Sequence, residues 1–309
     1  MLSFEPLTIT AKGTLLPYYH QYGEGSCQHS FVSSFCMSGK YGDQVCVQNG
    51  FLYTLRSMLC TEQERVYLFP LGDRNRDDAI CHAVTTVVED AHAYGCRARF
   101  ETVTEGTAEY LMRLFPGRFV IDEKRDYAEY LYTHDKLALL PGHEMASKRH
   151  DISTFDRQYA GRYVVQRIET AEQVDEIRPF QSWWKAERMA REEDVQLERE
   201  DESIRIGLEH FFELGLSGIL VYIDDRLAGY AYGAALSDDC YDVMIEKGDR
   251  SAPDVYKILN RDLVRLCCDG MTWINREEDL GVEGLRKAKL SYKPDRLIRK
   301  FSVREAMGE

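Results

Sequence analysis

The sequence predicts an α+β protein with mixed α/β layers, arranged as two domains in tandem. Three observations lead there. The chain has 309 residues, about twice the roughly 150 residues of a typical domain. In both halves, short apolar runs at strand spacing alternate with longer stretches at helical spacing. The halves share one order of elements (strands, helix, strand, helix, strand), although no residue-level repeat accompanies it.

In the first half, Val45–Val47, Phe51–Arg56 and Val66–Leu71 read as strands, with Asn49-Gly50 as a hairpin turn. Asp77–Ala93 reads as a helix, because Ile80, Val84, Val87, Val88 and Ala91 fall on one face and Asp77 or Asp78 can cap it. Arg97–Glu101 is a strand. Glu105–Leu114 is a short helix stopped by Phe115-Pro116-Gly117. Arg118–Asp122 and Tyr127–Tyr132 are extended. Asp135–Tyr159 reads as helix, hinge at Pro141-Gly142, and helix.

In the second half, Tyr163–Ile168 is a strand and Ala171–Phe212 a long helical region. Its centre, residues 187–203, carries eight acidic and three basic residues and reads as a solvated face or loop. Gly218–Ile223, Leu227–Leu236 and Cys240–Ile245 make three successive antiparallel strands, the first two joined at Asp224-Asp225. A loop at 246–253, a helix at Asp254–Cys268, a strand at Met271–Ile274, a loop at 275–281, a basic helix and a last strand at Leu297–Val303 complete the chain. The expected division is an N-terminal domain at 1–134, a joining helical segment at 135–159, and a C-terminal domain at 160–309 carrying the chemistry.

Composition narrows the function. With 44% hydrophobic and 29% charged residues the chain is an ordinary globular one. A net charge of −13 disfavours broad electrostatic binding to nucleic acid or anionic membrane. No run of 18 apolar residues occurs, and MLSFEPLTI lacks the basic and apolar regions of a signal peptide, which predicts a cytoplasmic protein. The nine cysteines contain no CxxC pair, so no metal is expected.

The densest cluster of chemical groups runs from Trp273 to Pro294. A short strand ends in Asn275-Arg276-Glu277-Glu278-Asp279, a glycine punctuates the loop, and a basic helix ends in Ser291-Tyr292. Side chains at a strand end beside a helix start can converge on one ligand. Three antiparallel strands, a loop, a helix, a strand and a helix ending in Ala288-x-x-x-Tyr292 resemble a GNAT-type acyltransferase domain. The longer pattern Asn275-Arg276-Glu277-x-Asp279-x-Gly281-x-x-Gly284-Leu285-Arg286-Lys287-x-Lys289-x-Ser291-Tyr292-x-Pro294 is similar to a bacterial family related to the C-terminal catalytic domain of phosphatidylglycerol lysyltransferase. Asp126-Tyr127-x-x-Tyr130, Leu137-x-x-Leu140-x-Gly142, Lys148-Arg149 and Phe155 resemble the same family. The resemblance covers most of the chain and implies two tandem GNAT-like domains, the first a degenerate copy.

The resemblance implies a tyrosine, here Tyr292, that protonates the leaving group of an acyl donor. It also implies a loop for the CoA pyrophosphate, here Lys247-Gly248-Asp249-Arg250-Ser251-Ala252-Pro253-Asp254. The second half of the glycine pattern is absent from that loop. Pro253 removes a donor, and Asp249 and Asp254 repel phosphate. Relatives that use aminoacyl-tRNA are likewise not committed to CoA, so acyl-CoA and aminoacyl-tRNA both stand as donors.

Each candidate has a functional and a structural reading. Glu246, at a strand end, can take a proton from an acceptor amine, or form a salt bridge with Lys247 or Arg250. Arg276 can grip a phosphate or carboxylate while Glu277 or Asp279 orients an amine; alternatively Asn275 and its neighbours form an Asx-type cap and ion-pair network. Arg286, Lys287, Lys289, Lys293, Arg296, Arg299 and Lys300 face one acidic residue over fifteen positions. They suit a polyanion (CoA phosphate, tRNA acceptor stem or lipid headgroup) or a cation-favouring helix C-terminus. Tyr292 is a general acid or an amphipathic anchor, and Ser291 a ligand or spectator. Lys148 and Arg149 can reach an anionic ligand in a cleft or form a solvated face, and His150 is assigned to the surface. Trp183-Trp184 and the tyrosines at 127–132 are expected in the core and interfaces.

The expected activity is transfer of an acyl or aminoacyl group to a soluble amine or hydroxyl acceptor, small molecule or peptide, by direct attack. Glu246 or Glu277 removes the proton and Tyr292 assists the leaving group. The alternative is a non-catalytic ligand sensor using the same cleft. A third reading, RNA binding through residues 286–300, predicts steep salt dependence.

Overall fold

The structure, a computed structural model, describes residues 1–190 and 195–306. The acidic stretch at 187–203 lies partly outside them. The chain divides into two compact units: Met1–Tyr130 with Glu278–Arg286 and the segment from Leu297, and Leu131–Glu277 with Lys287–Arg296.

The elements of the first part of the chain are β1 (Glu5–Pro6), α1 (Lys12–Tyr22), α2 (Phe31–Cys36), α3 (Ser38–Tyr41), β2 (Asp43–Gln48), β3 (Phe51–Arg56), β4 (Glu64–Tyr67), α4 (Asp77–Ala93), β5 (Arg97–Thr104), α5 (Glu105–Leu114) and β6 (Phe119–Glu123). Then follow β7 (Glu129–Thr133), α6 (His134–Leu139), α7 (Ala146–Gln158), β8 (Tyr163–Arg167), α8 (Ala171–Met189), α9 (Val195–Glu209) and α10 (Phe211–Leu214). The last are β9 (Ser217–Ile223), β10 (Arg226–Ala235), β11 (Cys240–Gly248), α11 (Val255–Cys267), β12 (Trp273–Asn275), α12 (Glu283–Leu290), β13 (Arg296–Ile298) and β14 (Lys300–Glu305). The mixed α/β class expected from the sequence is present as two seven-stranded, mostly antiparallel sheets flanked by helices.

The first sheet has the order β1-β2-β3-β4-β5-β14-β6. Its only parallel contact among the described residues is β4 with β5. Helix α4 covers it through Ile80, Ala83, Val84, Val87, Val88 and Ala91, the stripe its sequence spacing predicts, against Phe51, Tyr53, Phe69, Phe100 and Val103. Strand β14 pairs with β5 on one side and β6 on the other. This corrects the expected assignment of 160–309 to one domain: the tail completes the first sheet, and β7, from the first half, pairs in the second. Hydrogen bonding decides this, because β14 finds two open strand edges between β5 and β6. Residues 1–42, which carried no periodic signal, fold into β1 and three short helices.

The second sheet has the order β13-β7-β12-β11-β10-β9-β8. Its core is aromatic: Tyr230 and Tyr232 stack with centroids 6.1 Å apart, and Phe180 and Phe211 meet them edge-on. Helix α11 presents Val255, Ile258, Leu259, Leu263 and Val264 as a buried face. Strands β11 and β12 run parallel but pair only at Cys240–Trp273, Tyr241–Ile274 and Asp242–Asn275. From Val243 onward β11 has no partner on that side among the described residues, so the two strands open toward Glu246 and Arg276. A register shift between Tyr232 and Gly233 lies beside this opening. A Cβ at Gly233 would stand 1.7 Å from the Asp242 carbonyl oxygen, so the close approach at this bulge requires glycine.

Candidate functional site

The opening between β11 and β12 is closed at one point by a charge pair. Arg276, one residue past β12, donates through Nη2 to Glu246 Oε2 at 2.6 Å, with 12% and 16% of the side chains exposed. Glu246 also accepts from Asn260 Nδ2 of α11 at 3.3 Å. The salt bridge expected for Glu246 with Lys247 or Arg250 is therefore not the one formed. Alternation along a strand explains this, since neighbours point to opposite faces. Lys247 instead pairs with Glu200 at 2.7 Å and lies 4.0 Å from the ring centre of Trp184.

Tyr292, just past the end of α12, packs against the same arginine. Its ring centre is 5.1 Å from the Arg276 guanidinium carbon and 4.6 Å from Lys148 Nζ of α7. Lys289 donates to the Arg276 carbonyl, and Tyr132 to the Lys289 carbonyl at 2.7 Å, which fixes the end of α12. Among the described residues Arg276 Nε and Nη1 are covered and have no hydrogen-bond acceptor, while the Tyr132 and Tyr292 rings lie alongside. Lys257 takes the carboxylates of Asp151 and Asp254. That leaves Lys148 without an ion-pair partner among the described residues.

Burial pushes the Tyr292 phenol up to about 12, although the nearby Arg276 charge opposes the rise. Tyr292 therefore keeps its proton at neutral pH and can donate it. Burial lowers the Lys148 ammonium below its ordinary value, reinforced by Lys257 and opposed by Asp151. Burial disfavours the Arg276 charge as well, but Glu246 outweighs it and the guanidinium is held above its ordinary value. Glu246, Arg276, Tyr292 and Lys148 thus form one group within the second unit: a carboxylate, a phenol and two cations flanking the phenol ring.

The loop after β11 uses its own donors. Asp249 Oδ1 accepts the Ser251 N–H at 2.7 Å, Tyr256 donates to the Gly248 carbonyl at 3.2 Å, and Asp254 begins α11 in the left-handed region at φ 67°. Arg250 is exposed and unpaired among the described residues.

The other predicted site residues divide. Asn275 is fully buried and its Oδ1 accepts the Glu277 N–H at 2.8 Å, the Asx turn foreseen as the structural reading. Glu277 takes φ 55°. In the first unit, fully buried Asp279 accepts from Tyr130, Arg125, Arg286 and the Gly281 N–H, and Arg286 also reaches Asp126 at 2.7 Å. Burial would raise Asp279, but these donors hold it down to about 2. The resembling segments 126–130 and 279–286 therefore meet in one network. Arg149 donates to the Leu140 and Gly142 carbonyls and clamps the end of α6. Lys287 is exposed, and Ser291 donates to the Ala288 carbonyl at 2.6 Å.

The basic run at 286–300 is not one open cationic face. Arg286, Arg299 and Lys300 are bound to carboxylates, Lys289 to a carbonyl, and Arg296 lies 4.3 Å from the Trp273 ring centre. Apart from Asp279, seven residues before Arg286, the pairing acids come from distant sequence, so local charge counting could not find them. Trp183 is 43% exposed rather than in the core. One buried ionic centre carried no sequence signal. Lys300 Nζ lies 2.6 Å from Glu129, both fully buried, with Glu129 also accepting from Ser26 Oγ and the Cys27 N–H. No group of three or more His, Cys, Asp or Glu side chains suited to a metal exists among the described residues.

Residues 19–304 match the family model described as phosphatidylglycerol lysyltransferase, C-terminal. A crystal structure of a Bacteroides thetaiotaomicron protein of unknown function is similar over 99% of this chain and 100% of that one, with 27% identity and a TM-score of 0.91. The structure of L-PGS from Bacillus licheniformis is similar over 94% of this chain and 90% of that one, with 15% identity and a TM-score of 0.64. An uncharacterized protein of Mycoplasmoides gallisepticum is 22% identical over 176 residues, 57% of this chain. The match spans about half of that relative, 55% of its length.

Proposed function

Because the chain belongs to the family of phosphatidylglycerol lysyltransferase C-terminal domains, we propose that it transfers an acyl or aminoacyl group, from aminoacyl-tRNA or acyl-CoA, to a soluble amine or hydroxyl acceptor. The observation that carries this reading is the grouping of Glu246, Arg276 and Tyr292 where β11 and β12 part. The net charge of −13 favours a soluble acceptor over an anionic membrane surface. No described helix is long and apolar enough to cross a membrane.

In the proposed step the acceptor's nitrogen or oxygen attacks the acyl carbonyl carbon. Glu246, positioned by Arg276 and Asn260, accepts the acceptor's proton; Glu277 is the alternative base. The ester C–O or thioester C–S bond then breaks, and Tyr292 protonates the leaving oxygen or sulfur. Arg276 and Lys148 flank the ring and stabilise the phenolate that results. Proton exchange with solvent restores both groups. No acyl-enzyme forms, so the donor and acceptor must be held together.

The test is a donor and acceptor screen with purified protein, following release of CoA or of uncharged tRNA. Turnover that falls on Glu246→Gln and Tyr292→Phe supports the reading. Turnover unchanged in Glu246→Gln, Glu277→Gln and Tyr292→Phe alike would sink it. Binding of a donor without turnover of any acceptor would favour the sensor instead.

A further inference from the structure

The buried face of α11 is apolar except at Asn260 and Asp262. Asp262 is accounted for by Arg261, which donates to both of its oxygens at 2.6 and 2.8 Å. Asn260, 1% exposed, is only half satisfied among the described residues. Its Nδ2 donates to Glu246 Oε1 at 3.3 Å, while its Oδ1 is covered and receives no hydrogen bond. Leaving a covered carbonyl oxygen unmet is costly. Leucine at this position would suit both the helix and its apolar face.

The place of that oxygen is specific. Glu246 is held at both of its own oxygens, Oε2 by Arg276 Nη2 at 2.6 Å and Oε1 by Asn260. Oδ1 and Nδ2 of Asn260 share one carbon, so the unmet oxygen stands beside the carboxylate that takes the acceptor's proton. The amide cannot turn over, because reversal would set Oδ1 against that carboxylate and withdraw its donor. Lys257, one turn earlier on α11, reaches Asp151 of α7 at 3.1 Å. This side of α11 therefore faces the helix that carries Lys148. Arg276 Nε and Nη1, also unmet among the described residues, are donors and suit an oxygen of the acyl group. Asn260 Oδ1 needs a hydrogen instead.

Counting hydrogens on the attacking atom separates the possible acyl acceptors. A primary amine brings two. One passes to Glu246, and the other stays on nitrogen through the tetrahedral intermediate and into the amide product, where Oδ1 can accept it. A hydroxyl brings one, which goes to Glu246, and its ester product carries none. A secondary amine falls short in the same way. With either of these, Oδ1 stays buried and unmet as the bond forms, a penalty that the primary amine avoids.

We infer that the acyl acceptor is a primary amine, selected by Asn260 Oδ1. This rests on the transfer reading above and narrows its amine or hydroxyl acceptor to one class. The neutral amine nitrogen attacks the acyl carbon and gives one proton to Glu246. The ester C–O or thioester C–S bond breaks, and Tyr292 protonates the leaving atom. The product is an amide whose remaining N–H donates to Asn260.

The experiment follows release of CoA from acetyl-CoA, and of uncharged tRNA from aminoacyl-tRNA, by the full chain. Three acceptors of one skeleton are compared: glycinamide, N-methylglycinamide and glycolamide. Phenethylamine, N-methylphenethylamine and phenethyl alcohol form a second set. Each is run with native protein, Asn260→Leu and Asn260→Ser, with far-ultraviolet dichroism to check folding. The main readout is the ratio of kcat/KM for the primary over the secondary amine, since the two nitrogens are similar nucleophiles in water.

Native protein should prefer the primary amine by roughly tenfold or more, with the alcohol slower still. Asn260→Leu should lower the amine ratio by roughly tenfold. That variant also loses the contact with Glu246, but this loss slows every acceptor alike and cancels in the ratio. Asn260→Ser can accept from an amine or donate to an alcohol oxygen. It should narrow the gap between glycinamide and glycolamide, and it carries the test if the leucine variant does not fold.

The inference is overturned if native protein uses N-methylglycinamide or glycolamide as well as glycinamide. It is equally overturned if Asn260→Leu leaves the amine ratio unchanged, because methyl bulk would then set the preference. Glu246→Gln should stop all acceptors alike and tests the transfer reading alone. Transfer with an unchanged ratio sinks only the choice of a primary amine. Transfer to none of the acceptors counts against the transfer reading, and this inference falls with it.

Discussion

Arg276 Nη2 stands 2.6 Å from Glu246 Oε2, across the point where β11 and β12 cease to pair. Each residue constrains the other, and their substitutions should not add. We expect Glu246→Gln to reduce kcat/KM about 100-fold or more. Arg276→Met should cost as much, and the double variant little beyond either single one. A double-mutant cycle on turnover measures this; full additivity would mean that the two act separately.

Tyr292→Phe should lower kcat by about 10²–10⁴-fold, the range for loss of a general acid. Its burial gives a second readout. The folded phenol is raised from 10.0 to about 12, so protonated Tyr292 favours the folded state. That contribution is fully present below pH 10 and is lost as pH rises toward 12. Tyr292→Phe should therefore unfold less steeply with pH between those values. Equal slopes for the two proteins in alkaline denaturation would contradict the assignment.

Lys300 and Glu129 are wholly buried and paired at 2.6 Å. Lys300→Met leaves the Glu129 charge without its cation, and should cost about 3–5 kcal/mol in denaturant unfolding. Lys300→Met with Glu129→Gln removes both charges and should recover part of the loss. If the double variant is the less stable, the pair itself is net stabilising.

Asp279 is held down from 3.8 to about 2 by Arg286, Tyr130 and the Gly281 N–H, against the effect of burial. A depressed carboxyl stabilises the fold above its unfolded value. That stability disappears as pH falls from about 4 through 2. Asp279→Asn should be less stable at neutral pH and should lose less on acidification across that window. Chemical denaturation at pH 7, 4 and 2.5 checks it; parallel losses would place the acid sensitivity elsewhere.

Local sequence made much of the fold legible. The stripe from Ile80 to Ala91 predicted α4, and three successive apolar strands predicted β9–β11. The α1–α3 region was opaque because α2 and α3 have only six and four residues, and the eleven-residue α1 holds Pro17 and buries only Leu15 and Tyr19. Both sheet memberships at the ends of the halves were missed, since a strand's sequence reports its spacing and not its neighbour. Among site residues, the positions of Glu246, Arg276 and Tyr292 were legible as strand-end and helix-end groups. The pairing of Arg286, Arg299 and Lys300 with acids was not, because each acid lies in a different element. Trp183 was misjudged because adjacent residues on a helix point about 100° apart, and which face is covered depends on tertiary packing.

Strand β14 fills the place between β5 and β6 in the first sheet. During synthesis β5 and β6 emerge long before residues 300–305, so the nascent sheet waits with two unpaired edges while some 180 further residues are added. Local helices can form in that interval, but the sheet cannot close. Premature termination anywhere before β14 would thus release a chain whose first unit has exposed backbone donors and acceptors, a template for aggregation. The sheet that begins to form first is thus closed only once Lys300–Glu305 has been made.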